Sequence, residues 1–259
     1  MIWNKLKIAV CGLIIICLTA ALPEAGYTNY GGAADLPVDD PSVAGKHIPI
    51  LMYHAISDVP WSEEIDMFVR PSELDEQLKF LTDDGYQCVT FEDLDKISAY
   101  AKPLMLTFDD GYKCNYDVLF PLLQKYGLKA TIFVITKAVG SKRYVSAENM
   151  REMSDSGFVS IQSHTASHND LTAIGPNDLR EELTSSKAFI ETVTGKAAIA
   201  LSYPMGIYDT TVRAAAIGHY DYAVCVDPGK FRCGADRYTM RRISIDRGMS
   251  IKAFASAIR

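Results

Sequence analysis

The strongest constraint on this chain is an alternation. From His47 onward, short apolar runs take turns with longer amphipathic segments, and the runs are too short to be helices. Runs at 47–53, 87–90, 104–108, 130–135, 159–163, 198–203, 223–226 and 242–245 read as strands. Between them lie helical patterns at 71–84, 91–101, 116–126, 146–156, 176–194, 210–217 and 251–258. In the first of these Leu74, Leu78 and Leu81 share one face, and Pro71 and Ser72 mark its start. Gly127, Gly157, Gly195 and Gly218 follow the ends of others. Strands that are apolar throughout belong to a parallel sheet covered by helices. Seven or eight such units in about 215 residues fit one domain folded as a closed or nearly closed (β/α)7-8 barrel. An open, flavodoxin-like sheet is the alternative. No Gly-rich phosphate loop follows any strand, so nucleotide binding has no support.

Composition matters here mainly for what it excludes. A formal net charge of −6 with no Lys/Arg-rich run argues against a nucleic-acid surface. Hydrophobic content of 48% in 259 residues is ordinary for one soluble core. Ahead of that core, Lys5 and Lys7 precede an apolar stretch from Ile8 to Ala21, which is shorter than a spanning helix needs. Residues 1–25 are therefore read as an export signal, or as an N-terminal anchor if left uncleaved, and 26–45 as a tether. The domain, 46–259, is expected to be secreted or at the cell surface. Cys88, Cys114, Cys225 and Cys233 contain no C-x-x-C pair, so a structural zinc site is not expected. Cys225 and Cys233 flank Pro228-Gly229; they form either a disulfide or two separate small hydrophobes.

The polar residues at the ends of the expected strands are His54, Asp109-Asp110, His164 and a Tyr203-Pro204 turn. In a β/α barrel such ends form the active-site face. His164 and His168 are four apart, a spacing that puts two imidazoles on one side of a helical turn, although polar loop histidines are the plainer reading. Adjacent carboxylates repel and cost desolvation, and a divalent cation on one of them removes that cost. Two histidines and a carboxylate leave positions open for water and substrate. The second carboxylate is then free to deprotonate a water acidified by the cation. Attack on an amide or ester carbonyl creates an oxyanion for N–H groups to stabilise, and a near-neutral histidine suits protonation of the leaving group. His54 is the free candidate for that step, whereas His47 and His219 read as ordinary.

Thr107-Phe108-Asp109-Asp110-Gly111 together with Ser163-His164-Thr165-Ala166-Ser167-His168 resembles the first two motifs of the polysaccharide deacetylases, the family-four carbohydrate esterases. The resemblance runs on through 129–134 and Tyr203-Pro204-Met205-Gly206 to 242–245. It implies a distorted (β/α)7 barrel, so that the expected fold becomes a distorted (β/α)7-8 barrel of one catalytic domain. It also implies Asp109 as general base, and Asp110, His164 and His168 as ligands of a divalent metal. That metal is most simply zinc, with cobalt or nickel as substitutes. The third motif departs from the family: Ser202 stands in place of an arginine and Met205 in place of a tyrosine. The backbone N–H of Met205 is still expected to serve the oxyanion, and Arg242, which matches an arginine of one subgroup, to steer Asp109. The family's late Leu-x-x-His motif is missing. Members acting on poly-N-acetylglucosamine carry that histidine in a run similar to Pro49-Ile50-Leu51-Met52-Tyr53-His54, so His54 is assigned the general acid.

The implied activity is removal of N-acetyl groups, as acetate, from an N-acetylglucosamine-containing exopolysaccharide or peptidoglycan. An O-acetyl esterase acting on an acetylxylan-like polymer and a catalytically silent glycan-binding relative are the alternatives. Tyr112, Tyr144, Tyr203 and Tyr208 are candidate platforms for sugar rings. No carbohydrate-binding module is legible, and a monomer is expected.

Overall fold

The computed structural model describes residues 43–259; the expected signal or anchor, and all but the end of the tether, lie outside the described residues. The strands are β1 (His47–Ile48), β2 (Ile50–Tyr53), β3 (Ala55–Ile56), β4 (Phe68–Val69), β5 (Gln87–Cys88), β6 (Pro103–Phe108), β7 (Ala130–Val134), β8 (Val159–Ser163), β9 (Ala200–Ser202), β10 (Tyr222–Pro228), β11 (Phe231–Arg232) and β12 (Met240–Ser244). The α-helices are α1 (Pro71–Asp83), α2 (Phe120–Tyr126), α3 (Ala147–Asp155), α4 (Pro176–Thr194), α5 (Thr210–Ile217) and α6 (Ile251–Ile258).

Seven parallel strands close into a ring in the order β2-β6-β7-β8-β9-β10-β12. Closure is decided at β2, which pairs on both edges, with β6 from Ile50↔Met105 to Tyr53↔Phe108 and with β12 at Leu51↔Ile243 and Met52↔Ser244. The open-sheet alternative is thereby excluded. Strand β5 pairs with the first residues of β6, outside the ring. The run read as one strand over 47–53 is two, because Pro49 has no N–H to donate to a ladder. Its first part pairs antiparallel with β11 and its second enters the ring.

Side chains alternate across each strand, and this parity builds two different interiors. Outward residues such as Leu51, Leu104, Leu106, Ile132, Val134 and Ile161 pack under the buried faces of α1, α2, α3 and α6. Fully burying each such Leu, Ile or Val contributes roughly 1.5–3 kcal/mol. Inward residues at the N-terminal end, among them Ile50, Met105, Phe133, Ala200 and Val224, form an apolar plug closed from below by Phe91 and Leu94. Towards the other end the same inward parity changes chemistry, to Thr107, Asp109, His164, Ser202 and Arg242, all of them buried.

Two expected helices differ in kind. Residues Phe91–Ala99 form a tight 3-10 segment kinked at Lys96. The pattern over 116–126 starts as a π-turn at Asn115–Leu119 before α2, since Pro121 cannot supply the amide that a continuous α ladder needs there. Cys225 and Cys233 are both free thiols in separate clusters, and the Cys225 thiol donates to the Met240 carbonyl at 3.4 Å. The disulfide reading therefore gives way to the two-hydrophobe reading. Among the described residues no helix is long and apolar enough to cross a membrane.

Candidate active site

The strand ends converge on a cavity of about 480 Å³ at the mouth of the barrel. His54, Asp109, Asp110, His164, His168, Tyr203 and Met205 all line it, so every expected site residue except Pro204 and Arg242 borders one space. Pro204 is buried in the adjoining turn, and Arg242 lies beneath the cavity floor at 1% exposure.

Asp109 leaves the end of β6 with its carboxylate inside the ring. Arg242 grips both oxygens, Nη1 donating to Oδ1 and Nη2 to Oδ2 at 2.7 Å each. The guanidinium is fully spent: Nε donates to the Cys225 carbonyl, Nη1 also to Thr107 Oγ1, and Nη2 also to Ser202 Oγ. The Ser202 hydroxyl in turn donates to Asp109 Oδ2 at 3.1 Å. Ser202 therefore does more than replace a lost arginine; its small side chain admits one arriving from β12. Burial alone pushes the Asp109 carboxyl up, but the Arg242 charge, helped by His164 and these hydrogen bonds, holds it well below the usual carboxylate range.

One residue on, the chain turns. Asp110 has a φ of +73°, which swings its carboxylate away from Arg242 and towards the histidines. Its Oδ1 lies 3.6 Å from His164 Nε2 and 3.8 Å from His168 Nε2, and the three donor atoms fall within 4.8 Å of one another. A cation with ligand bonds of roughly 2.0–2.2 Å holds its donors a little closer than this, so the three residues fit a divalent ion after minor adjustment. The tautomer also suits. His164 Nδ1 sits 2.8 Å from the Ser202 carbonyl, an acceptor, so Nδ1 carries the hydrogen and the Nε2 lone pair faces Asp110. Burial moves Asp110 up, reinforced by Asp109 and opposed by His164, and moves His164 and His168 down. A positive charge among these three groups would offset the burial that presses the Asp110 carboxylate towards neutrality.

The two histidines do not share a helical turn. Residues 164–168 form a bend in which Thr165 and His168 take φ values of +64° and +59°, and the imidazole rings meet edge to face at 4.7 Å. His54 faces the same cavity from the end of β2. Burial moves it below the ordinary histidine value, against an upward pull from Asp109.

Met205, at φ +55° and half exposed, borders the cavity in a turn whose next residue must be glycine. A Cβ on Gly206 would meet the Val226 side chain at 2.3 Å. Tyr203 is fully buried, its ring stacks on Tyr208 at 4.7 Å, and its hydroxyl donates to the Tyr238 carbonyl. That ring is a packing element and offers no face to a sugar. Tyr112 and Tyr144 do border the cavity, with ring centroids 5.2 Å apart. Sequence reading missed Glu64 and Met67, from a loop of no periodicity, and Glu182, whose carboxylate accepts from the N–H groups of Ala166 and Ser167. The available signal for Glu182 was an acidic residue in the apolar register of α4, between Leu179 and Ser186.

A sequence profile of the polysaccharide deacetylases matches residues 96–222. The Bacillus subtilis (strain 168) protein YxkH, whose name places it among the polysaccharide deacetylases, is 36% identical over 217 residues, spanning 82% of this chain and 76% of that one. A poly-beta-1,6-N-acetyl-D-glucosamine N-deacetylase of Staphylococcus epidermidis is 27% identical over 212 residues, spanning 73% and 72%. Among solved structures, the Streptococcus pyogenes deacetylase PplD, in complex with acetate, is similar with a TM-score of 0.78 and 31% identity over 83% of this chain and 99% of that one.

Proposed function

Because the chain belongs to the polysaccharide deacetylase family, we propose that it is a metal-dependent hydrolase removing N-acetyl groups from an N-acetylglucosamine polymer, an exopolysaccharide or peptidoglycan, outside the cytoplasm. One observation carries the reading: Asp109, its carboxylate clamped by Arg242, stands beside the donor trio Asp110, His164 and His168 at one cavity. The poly-N-acetylglucosamine deacetylase relative supports the choice of polymer, and the apolar stretch 8–21 supports export.

A divalent ion held by Asp110, His164 and His168, most simply zinc, with cobalt or nickel as substitutes, would acidify a water and polarise the acetyl carbonyl. Every other step falls to the chain itself. Asp109 would act as the base towards a water in the cavity; Arg242 and Ser202 keep its carboxylate ionised and fixed in direction. The main-chain N–H of Met205, in the Tyr203-Pro204 turn, stabilises the oxyanion as the carbonyl carbon becomes tetrahedral. His54 gives a proton to the departing amine nitrogen as the C–N bond breaks, leaving acetate and a free amine. A histidine whose proton is loosely held, as burial makes this one, is a strong acid once charged.

The test is acetate release from chitin oligomers, poly-N-acetylglucosamine, peptidoglycan and acetylxylan, with EDTA and with added zinc, cobalt or nickel. Release from the N-acetylglucosamine polymers, abolished by EDTA and restored by metal, is the expected result. Release from acetylxylan alone would favour the esterase. Silence on every polymer, combined with binding, would favour a glycan-binding protein.

A further inference from the structure

The segment between the two histidines is an unusual place to hold ligands, since it has neither helix nor strand to fix it. Its backbone groups show what does. Its carbonyls face the loop after β7: Thr136 N–H donates to the Thr165 carbonyl and Lys137 N–H to that of Ala166. Its amides face α4. Ala166 N–H and Ser167 N–H, from two of the three residues between His164 and His168, both donate to Glu182 Oε2 at 2.9 and 2.8 Å. One turn further along α4, Ser186 Oγ accepts from Ser163 Oγ, which itself accepts from Thr165 N–H. The Thr165 hydroxyl completes the bend by accepting from His168 N–H.

Glu182 is 5% exposed, a costly place for a carboxylate that only packs. Its Oε1 lies 3.9 Å from Lys137 Nζ, which also donates to Ser167 Oγ, so the acid is tied to both walls of the loop. The loop carries two non-glycine residues in the left-handed region, a conformation that persists only where surroundings over-determine it.

We propose that Glu182 is the positioning residue of the metal site: one carboxylate oxygen on α4, accepting two successive amides, holds the bend that brings His168 alongside His164. It touches neither ligand side chain and acts through the backbone between them. The inference rests on reading Asp110, His164 and His168 as metal ligands. What the position needs is an acceptor of the right reach; the negative charge is incidental.

Three variants separate this from a purely structural role, with zinc alone as the probe. Metal-free protein is titrated against a competing chelator, and folding of each metal-free variant is followed by circular dichroism. E182Q keeps an oxygen of the same reach and is expected to bind zinc within about threefold of the native protein. E182D keeps the charge but withdraws the oxygen by one methylene, and E182A removes it; both are expected to bind zinc about 10- to 100-fold more weakly while remaining folded. Native-like zinc affinity in folded E182D or E182A overturns the proposal, as does a loss in E182Q equal to that in E182A. If E182A does not fold, E182D decides alone. Native protein that binds no stoichiometric zinc overturns both this inference and the proposed function; tight native binding that is unchanged in E182D overturns this inference only.

Discussion

The two ends of the barrel hold cavities of similar size and opposite character. At the mouth, about 480 Å³ is bordered by three histidines and three carboxylates. At the floor, about 420 Å³ is lined by Ile48, Pro49, Tyr86, Ile97, Tyr100 and Cys233 together with His47 and the cationic side chains of Lys46, Lys102 and Arg259. Volume therefore says little about where the chemistry is. Backbone says more. All four non-glycine residues with positive φ among the described residues, Asp110, Thr165, His168 and Met205, belong to the mouth. Backbone strain gathers at the mouth alone, whereas shifted titration does not separate the two ends, since burial also raises Tyr86, Tyr100 and Cys233 at the floor.

Substitutions at the two ends should accordingly fail in different ways. The largest effect is expected from Asp109→Asn, with acetate release falling by up to about 10⁴-fold and zinc stoichiometry retained. Native-like release would remove Asp109 from the mechanism. Arg242→Ala should come next, because it leaves a carboxylate buried and unpaired; unfolding free energy should fall by about 3–5 kcal/mol in urea titrations. Its pH dependence has a definite sign. The native Asp109, held low, contributes stability that is complete above its unfolded value of about 3.9 and fades as pH drops towards its folded value. Without Arg242, the largest influence opposing burial is gone and that carboxyl rises, so the stability gap between variant and native protein should narrow from neutral pH towards pH 4. A gap that widens on acidification would refute the clamp.

At the floor, Phe91 packs against Phe133 and Tyr222 with ring centroids 5.8 and 5.6 Å away. Phe91→Ala should cost about 3–5 kcal/mol of stability yet leave turnover per folded molecule unchanged. A large drop in turnover would mean that the two ends are not independent. The smallest effect is expected for His54→Asn, about 10²-fold in turnover with unchanged zinc affinity and unchanged urea midpoint. Unaltered turnover would leave the leaving group without an assigned acid.

The same contrast explains what could be read from sequence. The ring strands were legible because continuous apolar runs are what a doubly covered parallel sheet demands. Val159–Ser163 and the helix Pro176–Thr194 agree to the residue. The motif residues were legible as strand-end polar groups, and parity explains why Asp109, His164 and Arg242 share one lumen. The bend over 164–168 was not legible, because its shape depends on acceptors far away on α4 and after β7. Nor was the burial of Tyr203: position 203 continues the outward parity of Leu201, and outward there means beneath α5. Glu64 escaped because an exposed loop residue acquires meaning only from the cavity it borders.

The Asp109–Arg242 pair spans 133 residues of chain and bridges β6 and β12, the two strands that flank β2. It acts as a latch across the seam where the ring closes. Until β12 is seated, the Arg242 guanidinium that grips both Asp109 oxygens has not arrived. Closure of the barrel and fixing of the Asp109 carboxylate are thus one event, so a chain arrested before Met240 should be inert even with His164, His168 and both aspartates already made.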